Sequence, residues 1–154
     1  EFFGQLGGFN EALITGEDYD LCQKVRQLNG KVVNNPLLKV VHFGYPQTVY
    51  EFIKREQWHG IGDSESLRAL FASKVALASL VFCLLHVLFL GALLSLSVTY
   101  VLASFLGLVT LLMISALRKY RGKPVKIIAM NSLVFYFYFF GRTMSLKHLF
   151  SRKK

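Results

Sequence analysis

No acidic residue follows Glu65 in a chain of 154 residues, although cations continue to its end. All nine Asp and Glu lie in residues 1–71 beside seven Lys and Arg, whereas residues 72–154 hold eleven Lys and Arg and no carboxylate. The formal charge of +9 is therefore the sum of two unlike parts, net −2 and net +11. Cations of one sign bordering long apolar runs are what anionic lipid and the inside-positive bias of membrane proteins select. The pattern speaks against a nucleic-acid binder, whose cations would form a soluble face interleaved with stacking aromatics. Cysteine is scarce as well. Cys22 and Cys83 lie in different regions without metal-type spacing, so no disulfide framework is implied and a reducing compartment fits. Neither an initiator Met nor a signal segment is present. The chain opens at Glu1 straight into Phe2-Phe3-Gly4, which reads as the middle of a folded region and hence as a C-terminal fragment.

Charge of either sign is missing from residues 75–117, 43 in succession. One helix of that length would be about 65 Å long at roughly 1.5 Å per residue, about twice a hydrocarbon core of roughly 30 Å. Two transmembrane helices are expected instead, 75–94 and 98–117, turning at Ser95-Leu96-Ser97. A hairpin puts both ends on one side. The basic loop 118–126, with Arg118, Lys119, Arg121, Lys123 and Lys126, assigns that side, and with it residues 1–71, to the cytoplasm of a multi-pass inner (plasma) membrane protein. Residues 64–74 form an interfacial connector. The third apolar segment, 127–141, is short for a span, so re-entrant, interfacial and spanning arrangements stay open, and its aromatic run from Phe135 to Phe140 favours a shallow one. Crossing would also carry the basic tail 142–154 outside, against the positive-inside bias. His86, inside the first span without an acidic partner, reads as a helix-helix hydrogen bond.

In the first half, Gly16-Glu17-Asp18-Tyr19-Asp20-Leu21 puts three carboxylates into four residues. Leu21, Val25 and Leu28 recur at helical spacing behind them, and Asn29-Gly30 ends the pattern. Acidic residues favour any first turn for the macrodipole alone, so the cluster is explained by capping as well as by catalysis. Gly7-Gly8 before it permits positive φ and close backbone approach of a ligand, or an ordinary turn. Residues 31–34 and 37–43, rich in Val and Leu and bounded by Asn34-Asn35-Pro36 and Gly44-Tyr45-Pro46, predict two short strands, with His42 near the end of the second. Thr48-Val49-Tyr50-Glu51 is a capping box opening a helix at Val49 that stops at Gly60. That helix holds the only Trp, Trp58, near Lys54 and Arg55. Such a set serves a sugar or phosphate clamp and a membrane-surface anchor equally well.

Gly7-Gly8-Phe9-Asn10-Glu11, Gly16 to Leu21, Gly30, Pro36, Val41-His42 and the segment from Lys54 to Gly60, in that order, resemble the C-terminal half of family 2 glycosyltransferases of the GT-A fold. The resemblance implies an α/β fold for residues 1–63 as part of a catalytic domain, followed by an all-α membrane hairpin. It also implies sugar transfer from a nucleotide-sugar donor to a lipid-linked or cell-envelope glycan acceptor, beside membrane lipids and without nucleic acid. Asp18 would be the general base of an inverting displacement, with Glu17 and Asp20 as supporting charges. Gly7 and Gly8 would belong to the acceptor loop, and Lys54, Arg55 and Trp58 would border the acceptor or leaving group. A divalent Mg²⁺ or Mn²⁺ would be held mainly by residues outside this chain, with His42 as a tentative contact. Where processive synthases of the family carry Gln-x-x-Arg-Trp, this chain has Lys54-Arg55-Glu56-Gln57-Trp58 and keeps only the Trp, which points to transfer of one or a few sugars. The competing class is a non-catalytic membrane subunit whose cytoplasmic cap docks a partner.

Overall fold

The computed structural model describes residues 2–41 and 43–151, and the chain divides into two units, one ending at Pro46 and one beginning at Gln47. Every regular element among the described residues is a helix. The α/β portion expected for residues 1–63 is therefore corrected to all-helical: the segments expected as strands run as irregular chain. The physical reason is partnership. Val and Leu favour a pleated surface, but a strand exists only through a second strand that takes up its backbone N–H and C=O groups. Here Leu37 is 85% and Phe43 92% exposed, so nothing in the described chain packs on the segment. Asn35 also bends it locally, its Oδ1 accepting from the Leu37 N–H at 3.0 Å.

In the first unit, α1 (Phe2–Gln5) precedes a glycine loop and α2 (Glu17–Gln27). Helix α2 closes through Asn29 at φ 55° and the Gly30 N–H, which donates to the Val25 carbonyl at 2.8 Å. The rings of Phe3 and Phe9 meet edge to face at 5.4 Å. No described apolar side chain of this unit is fully buried; only Thr15 is.

The second unit begins with α3 (Val49–Asp63), capped by Thr48, whose Oγ1 accepts from the Glu51 N–H at 3.2 Å. Gly60 does not stop it. The short α4 (Leu67–Ala72) leads into the hairpin α5 (Lys74–Leu94) and α6 (Val98–Lys119), joined at Ser95-Leu96-Ser97. Both hairpin helices are long and apolar enough to cross a membrane, and only 17% of the most apolar stretch of each is buried. Ala76, Ser79, Ser104 and Ala116 face inward beside Phe82 and Leu108, while Leu84, Val87, Leu102 and Leu106 are exposed. Small residues at the contacts and large apolar residues outside are common among helices packed in lipid.

Residues 127–141 lie within one continuous helix, α7 (Val125–Ser145), followed by α8 (Lys147–Ser151). Helix α7 meets the hairpin toward its basic end. Its Ser132 hydroxyl reaches Met113 of α6, and its Phe139 packs on Phe82 of α5. The Thr143 hydroxyl donates to the Ser79 carbonyl at 3.2 Å. His86 Nδ1 faces the Phe82 carbonyl at 2.8 Å and its Nε2 meets the Tyr136 hydroxyl at 3.2 Å, so the ring ties α5 to α7.

Candidate functional site

The sequence-derived site residues fall in both units. In the first, Gly7 and Gly8 take left-handed backbone at φ 71° and 66°, which glycine adopts without steric cost. The Lys24 ammonium joins this loop to the acidic helix: it lies 3.0 Å from Asp20 Oδ2 and donates to the Gly8 carbonyl at 3.4 Å. Asp20 is thereby neutralised within the helix, at the i,i+4 spacing that favours such pairs. Glu17 and Asp18 stay exposed at the mouth. One Asp18 oxygen accepts from the Tyr19 N–H at 2.7 Å, which holds the carboxylate against the first turn. Gly16, at φ 83°, makes no side-chain cap, so Asp18 meets the amide end without competition from a capping hydroxyl.

In the second unit, α3 divides into two faces. Tyr50, Lys54 and Trp58, at i, i+4 and i+8, share the exposed one, with the Lys54 ammonium 5.5 Å from the Tyr50 ring centroid. Arg55 does not join them: its guanidinium lies over Phe52 and donates to Glu56 Oε1 at 3.3 Å. The opposite face carries Glu56, Gln57 and Gly60, all buried against α7. A Cβ at Gly141 would stand 2.7 Å from the Ile53 carbonyl oxygen, so the two backbones meet where no side chain fits. Beside this contact Arg142 Nη1 donates to Asp63 Oδ2 at 2.9 Å, and its Nε lies 3.4 Å from Glu56 Oε2. The Arg142 guanidinium also stacks 5.2 Å from the Tyr138 ring centre.

Sequence reasoning missed this cluster. It counted Arg142 as one more tail cation, and Glu56 only as a departure from a motif. A signal was present: Glu56 and Asp63 are seven apart on one helical face, and Arg142 is the only cation within the apolar stretch from Ile127 to Leu146.

His42 lies outside the described residues. Among those described, no three His, Cys, Asp or Glu side chains converge. No family model, no curated protein and no solved structure matches the chain.

Proposed function

We propose that this chain is part of a membrane-anchored glycosyltransferase acting at the cytoplasmic face, with Asp18 as general base. The observation that carries the reading is the Lys24 bridge, which holds the paired-glycine loop beside the acidic helix and leaves the Asp18 carboxylate open to solvent. An acceptor hydroxyl is a poor nucleophile until its proton is taken. Asp18 would accept that proton as the oxygen bonds to the anomeric carbon and the nucleoside diphosphate departs with the electrons of the broken C–O bond. Gly7, exposed, and Gly8, half-buried, let an acceptor approach backbone, and Glu17 places a second carboxylate beside Asp18. The hairpin, with its lipid-type packing, and the cations at its base support anchorage with these residues on the positive side.

The test is Asp18→Asn in the full-length protein, assayed in membranes for transfer from a panel of labelled nucleotide-sugars. Turnover is expected to fall by about 100-fold or more, with donor affinity retained. Unchanged turnover removes Asp18 from the mechanism. The non-catalytic docking reading is favoured by a different observation, the exposed apolar residues from Val32 to Phe43. It is distinguished by the absence of transfer from any donor in the wild type.

A further inference from the structure

We infer that the cleft at the basic end of the hairpin is a binding site for the phosphate headgroup of an anionic membrane lipid. The cleft, of about 390 Å³, is built from all three long helices of the second unit. Lys74 of α5 and Arg118 and Lys119 of α6 supply three positive charges to one opening. No described carboxylate pairs with any of them, and the sequence places none after Glu65. Three like charges, all exposed around one cleft, repel one another, and an anion seated among them removes that cost. The first turn of α5, which Lys74 and Val75 bring to the cleft, adds the partial positive charge of its amide end.

The remaining walls match the rest of a lipid. Ser115, whose hydroxyl donates to the Leu111 carbonyl at 2.8 Å, and Tyr138 complete the lining, and Phe135 and Phe139 give it apolar surface. The Lys119 ammonium stands 6.0 Å from the Phe135 ring centroid, so charge and apolar wall adjoin. From there the exposed Leu77 and Val81 of α5, and Ile114 and Leu117 of α6, continue the apolar surface along the helices. A free phosphate would use only the rim. A lipid phosphate also covers the apolar walls and the adjoining helix surface, and basic clefts between membrane helices on the positive side are suited to such headgroups. The inference rests on the membrane placement of the proposed function and is independent of sugar transfer.

The experiment uses the full chain in nanodiscs of phosphatidylcholine containing a tenth part of fluorescent phosphatidic acid, after an alkaline wash that establishes membrane residence. The wild type is expected to bind phosphatidic acid about five-fold or more in preference to phosphatidylcholine. Arg118→Gln with Lys119→Gln should bring that preference near parity. Arg121→Gln with Lys123→Gln removes the same charge from the neighbouring loop outside the cleft and should leave the preference intact. Ser115→Phe keeps every cation but fills the cleft, and should also abolish it. Equal loss in the cleft and loop pairs would overturn the inference in favour of diffuse surface attraction. Displacement by millimolar glycerol phosphate would overturn it in favour of a soluble phosphate, and binding of an acidic protein in place of lipid would do the same. Release of the chain by the alkaline wash overturns the membrane placement itself, whereas retention without lipid preference overturns only the site.

Discussion

Both units expose large apolar side chains, and the backbone beneath them separates the two cases. In the second unit, Leu84, Val87 and Leu102 stand on helices whose N–H and C=O groups are satisfied within the segment, the condition for facing hydrocarbon. In the first unit, Val33, Leu38 and Val41 stand on irregular chain whose polar groups have no ladder. Lipid would satisfy the first kind of surface. It would make the second worse, because each unpaired backbone group carried into hydrocarbon costs several kcal/mol. Exposed apolar area alone therefore does not mark a membrane surface; it must be read together with the hydrogen bonding under it.

The comparison breaks most sharply at Arg142. Replacing it with Met removes one of the two guanidinium partners of the Glu56 carboxylate, whose side chain is only 7% exposed, and the partner of Asp63 as well. A loss of about 3 kcal/mol is expected, read as a lowered unfolding midpoint in detergent. Adding Glu56→Leu should restore part of it, since the more exposed Asp63 is then the one carboxylate that lacks its partner. A smaller loss, about 1–3 kcal/mol, is expected for Gly141→Ala, because the new Cβ would also stand 2.9 Å from Glu56 Cβ and force α3 off α7. Tyr136→Phe removes one hydrogen bond to His86 and should cost about 1 kcal/mol in the same measurement. Lys24→Met, in the first unit, should change stability by no more than about 0.5 kcal/mol, because its ion pair with Asp20 is partly solvated. Its effect should instead be on turnover, if the glycine loop is held by that ammonium. Hydrogen exchange would sharpen the contrast further: amides of residues 31–41 should exchange fast, and those inside α5 slowly.

Local signals were legible in the sequence, and partnerships were not. Three first-turn carboxylates and the Asn29-Gly30 stop predict a helix that runs from Glu17 to Gln27, because both ends are set by residues within a few positions of them. The turn at Ser95-Leu96-Ser97 follows from the length of the uncharged run against the thickness of a bilayer. The strands failed because pairing is non-local, and β-branched composition reports a preference for a partner without supplying one. Gly60 was misread for a related reason. Glycine ends helices often enough to serve as a stop, but here it is the place where Ser145 and the Arg142 side chain come against α3. Length likewise left the third apolar segment open: Lys126 and Arg142 bound the uncharged run, yet the helix continues past both. As for the candidate site, the first-turn place of Asp18 and Glu17 was legible, the role proposed for them came from the resemblance, and the Lys24 bridge depends on a loop path that spacing does not report.

Trp58 is the only indole in the chain, stands 48% exposed on α3, and meets the His59 ring edge to face at 5.0 Å. Because the opposite face of α3 is pinned to α7 by Arg142 and Gly141, the helix that carries this indole cannot roll independently of the bundle. The emission of the unlabelled protein is thus a native optical gauge for one surface. A blue shift in vesicles would place the Tyr50, Lys54 and Trp58 stripe in the headgroup layer, and an unshifted spectrum would leave it in water, free to meet a soluble ligand.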